Sequence, residues 1–244
     1  MTDKLRYGIQ HSDMDWACDY FEVEATTPDR KIKVCHVIVK DINIISEALA
    51  RKVLDTSWMT NLDIGYRRAY DITVKETAAA LVEIFKSTKT TSNVGSEFGE
   101  VMVSIGSTKA LEKIFNHVIL PIAELWKPQL KQNEGFDFHT VCSTELINFG
   151  EAKYSGSSNP HGNAINQARR FIDAEKHLRD YVHLRELTSE AAINNLNNDN
   201  YGIIASFSIN AADPLQVLKN AIESAKRTLS IDSIKSVYLV GVSQ

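Results

Sequence analysis

The chain has 244 residues, 43% hydrophobic and 24% charged, with a formal net charge of −4: enough for one core plus an appended subdomain, in the balance of a globular protein. No apolar run approaches the ~18 residues of a membrane span and Met1–Leu5 does not begin a signal peptide, so a cytoplasmic protein with no membrane partner is expected. Cys18, Cys35 and Cys142 have neither disulfide-framework nor zinc spacing, and the acidic balance argues against a protein that captures nucleic acid unaided.

In chain order, residues 18–26 and 31–40 predict strands, and Ile45–Leu54 and Ile72–Phe85 predict amphipathic helices, the second with Val74, Ala78, Leu81 and Val82 on one face. Lys86–Ser92 (KSTKTTS) is the best linker, which divides the chain into an α+β segment, 1–90, and a second unit, 91–244. Asn93 or Ser96 can cap a helix whose first turns place Glu97 and Glu100 on one face at i, i+3. Residues 107–127 look helical but are interrupted by Pro121. Phe136–Cys142 and Leu146–Tyr154 predict a hairpin around Ser143-Thr144. Asn159-Pro160 resembles an N-cap followed by proline at the first helical position. The helix would run from His161 to about Leu187 on the stripe Ile165, Ala168, Ile172 and Val182, broadened by Phe171 and Leu178. Asn194–Asn200 is a polar loop, followed by a strand (Tyr201–Ile209), a helix (Pro214–Leu229) and a buried strand (Ser236–Gly241). This order implies an α/β fold, a mixed sheet flanked by helices on both faces.

The hairpin carries the chemistry. With the turn centred on Thr144, Asp137 faces Glu151, and Lys153 lies on the same face as Glu151 one step along. Facing side chains sit about 5 Å apart at Cβ, and like charges there cost stability. Two such carboxylates with an ammonium beside them suit a Mg²⁺ (or Mn²⁺) site for phosphodiester hydrolysis, since this hard cation takes one or two carboxylates together with waters and phosphate oxygens. Lys153 can hold the attacking water or stabilise charge on the phosphoryl oxygens. Both Glu151 and Lys153 are expected on a solvent-accessible face. The competing reading is a solvated hairpin face with a Glu–Lys pair, because E-x-K alone is a weak motif. Pro28-Asp29-Arg30-Lys31 also contains a D-x-K, but it lacks a second acid on a preceding hairpin strand and predicts a turn.

Glu97 and Glu100 either complement the helix dipole or give the metal a third carboxylate. Arg169 and Arg170, in a helix that begins beside the hairpin, are candidates for phosphate contact, whereas Lys176 and Arg179 fit a solvated face.

A helix with an acid, a hairpin with Asp then E-x-K, and a basic helix together resemble the PD-(D/E)xK nuclease superfamily, with Phe136 in place of the proline of its name. Residues from Ser92 to about Tyr181 resemble more closely the HamA family, the nuclease subunits of the two-gene Hachiman anti-phage defence system. The shared features are SEFGE at 96–100, GFDFH at 135–139 and FGEAKYS at 149–155. The resemblance implies a restriction-endonuclease-like core at 91–244, with the first ninety residues as an extension that docks a partner. It implies Asp137, Glu151 and Lys153 as the catalytic trio of a Mg²⁺-dependent deoxyribonuclease. It also implies DNA as substrate and a heterodimer with a helicase (HamB-like) encoded by the neighbouring gene. Gln167 matches a position at which exonuclease-like members carry a DNA-contacting Gln before an aromatic, here Phe171 instead of Tyr. A non-catalytic adaptor that keeps the nuclease fold is the alternative.

Overall fold

The computed structural model describes residues 4–26, 31–91, 94–127 and 135–244. Pro28–Arg30 of the rejected motif, Ser92 of the expected linker, Asn93 as a cap and the basic Lys131 lie outside the described residues. Eight strands are described: β1 (Leu5–Asp13), β2 (Cys18–Ala25), β3 (Ile32–Val39), β4 (Val118–Ile119), β5 (Phe138–Val141), β6 (Ile147–Lys153), β7 (Tyr201–Ser208) and β8 (Ile234–Ser243). They form one mixed sheet in the order β1-β2-β3-β8-β7-β6-β5-β4. Its centre, β3-β8-β7-β6, is parallel, and both flanks are antiparallel.

The central strands β6 and β7 are almost wholly buried, as parallel strands covered on both faces must be. One face is covered by α1 (Ile42–Leu54), α2 (Ile64–Thr91) and α3 (Ser96–Phe115). The other is covered by α4 (His161–Asp173), α6 (Tyr181–Leu187), α7 (Glu190–Asn197) and α8 (Pro214–Thr228), with the short α5 (Lys176–Arg179) between α4 and α6. A mixed sheet with helices on both faces is the arrangement expected from the order of elements.

Several local expectations are corrected. The segment expected to be a linker is helical as far as Thr91, because α2 runs unbroken for 28 residues. The strands of the first ninety residues belong to the same sheet as the last strand: β3 pairs with β8 from Ile32↔Val237 to Ile38↔Ser243. The helix expected over 107–127 ends at Phe115, before Pro121 is reached, because Asn116 adopts the left-handed conformation (φ 55°) and its N–H closes on the Glu112 carbonyl. The single helix expected over His161–Leu187 is three helices. Glu175 at φ 53° turns the chain, so the phase of the apolar stripe is lost and Val182 and Leu178 are exposed. Pro160 takes the N-cap position there, while Asn159 Oδ1 accepts from the Asn210 N–H at 2.9 Å. Half of the expected polar loop is the helix α7, which Ser189 caps. The edge strand β1 has no counterpart among the predicted elements; it is mostly exposed, and the alternation of Leu5, Tyr7 and Ile9 stops where the register shifts before Gln10.

Candidate active site

The β5–β6 register is the expected one: Phe138 pairs with Gly150, His139 with Phe149 and Val141 with Ile147, a constant sum that one further step would carry to Asp137 and Glu151, just beyond the paired residues. The turn is a residue longer than a two-residue hairpin: Glu145 is left-handed (φ 57°), and Cys142 N–H bonds to the Leu146 carbonyl at 3.1 Å. Gly150 is required for the close pairing, since a Cβ there would lie 2.4 Å from the Phe138 ring.

Asp137 sits where the ladder breaks. Hydrogen-bonded pairs recur every second residue from Cys142–Leu146, so the Ala152 N–H should next meet the Phe136 carbonyl. That carbonyl instead accepts from Lys127 Nζ at 2.8 Å, and Asp137 Oδ2 takes the Ala152 N–H at 2.7 Å. The carboxylate thereby substitutes for a main-chain acceptor. Main-chain bonds hold the residue on both sides: its N–H donates to Gly150 at 2.8 Å, and its carbonyl accepts from Ala123 at 2.9 Å.

Glu151, expected on an accessible face, is fully buried at 0% exposure. It lies on the central strand β6, aligned with Ala205 of β7, so both its strand edges are paired and the sheet face above it is covered. Its Oε1 is paired with Lys153 Nζ at 2.8 Å, and its Oε2 accepts no hydrogen bond. Lys153 is the accessible end of the pair, with 22% of its side chain exposed, and its Nζ also stands 3.9 Å from Glu100 Oε1. Of the two acids on α3, Glu100 therefore reaches the lysine, while Glu97 is exposed a turn earlier. The α3 approach depends on Gly99, against which the Tyr154 ring lies so closely that a Cβ would be 2.2 Å from it.

A further acid, absent from the expected set, stands beside Asp137. Glu124 belongs to the single 3₁₀ turn Ala123–Leu125, the turn whose Ala123 N–H binds the Asp137 carbonyl. Its Oε2 is sealed from solvent with no hydrogen-bond partner. The signal available in the sequence was an acid enclosed by apolar neighbours, Ile122-Ala123-Glu124-Leu125-Trp126.

The electrostatics follow from crowding acids in a dry place. Burial, then the Asp137 charge, pushes Glu124 up to about 8. Burial pushes Asp137 up to about 6, against the Ala152 hydrogen bond and the Lys153 charge. Burial and then Asp137 raise Glu151 well above the usual carboxylate range, with Lys153 pulling the other way. For Lys153 burial acts downward, but the acids around it, Glu151 first, leave it raised. Perturbed groups concentrated at one place mark a functional site. Behind them, Asp180 accepts from His139 Nε2 at 3.0 Å and pairs with Lys127 Nζ at 2.9 Å, a buried network that anchors β5.

The basic helix does not converge on this cluster. Arg169 is bound to Asp173 at 2.8 Å and donates to the Thr228 carbonyl at 3.0 Å. Its charge acts on Tyr201 at the start of β7. Glu151 lies beside Ala205, four residues on, or about 13 Å along the strand. Arg170 is exposed in the last turn of α4, and Gln167 is half-buried midway along it.

The buried Glu151 Oε2, which accepts no hydrogen bond, together with the hard carboxylate of Asp137, whose Oδ2 is taken by the Ala152 N–H, fits a divalent cation held by these two acids. Among the described residues no group of three His, Cys, Asp or Glu side chains is close enough together to hold a metal by itself. Also among the described residues, no helix is long and apolar enough to cross a membrane. Compared with protein-family models, curated proteins and solved structures, the chain matches none of them.

Proposed function

We propose that the chain is a metal-dependent deoxyribonuclease of the PD-(D/E)xK kind. The observation that supports this reading is the meeting of Asp137, the buried and unsatisfied Glu151, and Lys153 at the end of one hairpin. A structural role gives no reason to bury two facing acids with one lysine between them and solvent. Asp137 and Glu151 would hold Mg²⁺ or Mn²⁺, which would supply phosphate polarisation and a more acidic bound water. Lys153, with its ammonium at the accessible edge, hydrogen-bonds the attacking water or a phosphoryl oxygen. Glu100 holds that ammonium from the other side. The surrounding strands exclude bulk water, which strengthens each of these interactions.

The net charge of −4 and the engagement of Arg169 with Asp173 favour DNA capture by a partner rather than by this chain alone. The resemblance to Hachiman nuclease subunits makes a helicase the expected partner. The deciding assay incubates plasmid and linear DNA with the purified chain, with Mg²⁺ or EDTA, alone and with that helicase. Mg²⁺-dependent scission that Asp137→Asn removes supports the proposal. DNA binding without scission in every combination would leave a non-catalytic adaptor.

A further inference from the structure

We infer that Glu124 is a fourth acid of the site, a positioning residue whose Oε2 takes a hydrogen bond from a water carried by the divalent cation held at Asp137 and Glu151. The inference rests on the cation reading given above and extends it to a residue outside the hairpin.

The turn that carries Glu124 cannot move independently of Asp137. On one side of Glu124, Ala123 N–H binds the Asp137 carbonyl at 2.9 Å. On the other, Lys127 Nζ binds the Phe136 carbonyl at 2.8 Å, and Trp126 Nε1 donates to the Pro121 carbonyl at 3.1 Å. Ala123, Leu125 and Trp126 are buried in the core, so Glu124 is delivered to the Asp137 side by a turn fixed at both ends.

Lys127, whose charge acts on Glu124, is engaged by other groups. Lys127 Nζ is taken by Asp180 at 2.9 Å and by the Phe136 carbonyl. Glu124 Oε2 is left sealed with no hydrogen-bond partner, as is Oε2 of the fully buried Glu151, whose Oε1 has the Lys153 ammonium alone. A buried acceptor without a donor is unfavourable, and the nearby unsatisfied groups share one need, which is for donors or positive charge. Among the described residues no three such side chains come close enough together to hold a metal, so the inference assigns Glu124 to a metal-bound water rather than to the metal itself. A hard divalent cation keeps several waters, and groups that accept from such waters orient the inner ligands and typically contribute 10–100-fold in affinity. Glu124 has the position and the open acceptor for that task.

The test is Mn²⁺ binding, followed by the paramagnetic resonance of free Mn²⁺, with the full-length parent, Asp137→Asn, Glu124→Gln and Glu124→Asp, together with thermal unfolding of each in EDTA. The expected result is binding by the parent, loss of binding in Asp137→Asn, and roughly tenfold or more weaker binding in Glu124→Gln. The Glu124→Gln protein should melt in EDTA at or above the parental temperature, because an unsatisfied acid has been replaced. Parental Mn²⁺ affinity in Glu124→Gln, with Asp137→Asn still deficient, would overturn the role of Glu124 alone. An absence of Mn²⁺ binding by the parent would overturn the cation reading along with it. Should Glu124→Gln not fold, Glu124→Asp decides: weakened binding supports the role, and parental affinity overturns it.

Discussion

The Asp137 carboxylate stands in for a main-chain carbonyl of the β5–β6 ladder, with its Oδ2 2.7 Å from the Ala152 N–H. A side chain used in this way is fixed by the sheet itself. Ala152 is the residue between Glu151 and Lys153, so one hydrogen bond ties all three functional side chains of the proposed site into a single rigid unit. Catalytic groups are most precise when mounted on strands whose pairing leaves no slack.

Lys153→Ala should lower metal-dependent DNA cleavage about 10²–10³-fold, the usual loss when one donor to developing transition-state charge is removed. Glu151→Gln, which keeps shape and removes charge, should be comparably inactive yet fold normally. Gel assays of plasmid cleavage beside far-ultraviolet circular dichroism check both. A Glu151→Gln, Lys153→Ala double variant that cuts at the parental rate would show that the chemistry lies elsewhere.

In the absence of metal, the stability that the site acids contribute should fall as pH rises. Asp137 and Glu124 have folded-state values raised to about 6 and about 8, above those of exposed carboxyls. At these two acids the folded chain therefore binds more protons than the unfolded chain between roughly pH 4 and 8, whereas the buried histidines, with His36 and His117 lowered to about 4, act in the opposite sense below about pH 6.5. The stabilisation is complete below the unfolded values and is lost as pH climbs through the folded ones. A tenfold difference in proton affinity between the folded and unfolded chain corresponds to about 1.4 kcal/mol, and about 1 kcal/mol moves Tm by ~2–4 °C at this chain length. Melting curves in EDTA from pH 5 to 8 should show the parental Tm falling by several degrees relative to that of an Asp137→Asn, Glu124→Gln double variant, in which the histidine contribution is unchanged. An equal slope in the two proteins would remove these acids as its source.

The hairpin was legible because strand alternation and register are properties of neighbouring residues: the Asp137–Glu151 pairing follows from the turn at Ser143–Glu145 alone. Glu151's burial was not legible, because it depends on β7, fifty residues away, closing the second edge of β6. The breaks at Asn116 and Glu175 escaped for a different reason, since each is one left-handed residue inside an otherwise helix-compatible stretch. Glu124 comes to the site through a hydrogen bond from Ala123 to Asp137, a contact between segments that no periodicity marks.

Divalent metal should raise Tm, and more so at pH 8 than at pH 6, because a cation replaces protons that the acids must otherwise retain. At a free metal concentration of 100 times Kd, linkage to one site stabilises by about 2.7 kcal/mol, or roughly 5–10 °C here. Calorimetry with Mn²⁺, Mg²⁺ and EDTA measures this directly. Glu151→Gln should lose most of the metal-dependent rise while melting in EDTA no lower than the parent, and an undiminished rise in that variant would exclude Glu151 as a ligand.

Gly99→Ala should disturb the site through packing alone. A Cβ at residue 99 would lie 2.2 Å from Tyr154 Cγ, a distance no pair of carbons tolerates, so either the ring or the first turn of α3 must shift. Overpacking of this kind costs about 1–3 kcal/mol. Glu100 follows Gly99 on that turn and Lys153 precedes Tyr154 on β6, so a shift at either partner alters the 3.9 Å approach of Glu100 to Lys153. Cleavage should fall while metal binding at Asp137 and Glu151, which the Ala152 hydrogen bond and the β6–β7 pairing hold in place, is largely kept. Replacing Tyr154 by Ala in the same chain opens the space that the new methyl needs, so the Gly99→Ala, Tyr154→Ala protein should recover more activity than Gly99→Ala retains. A double variant no better than Gly99→Ala would show that the Tyr154 ring, and not room for α3, is what the site requires.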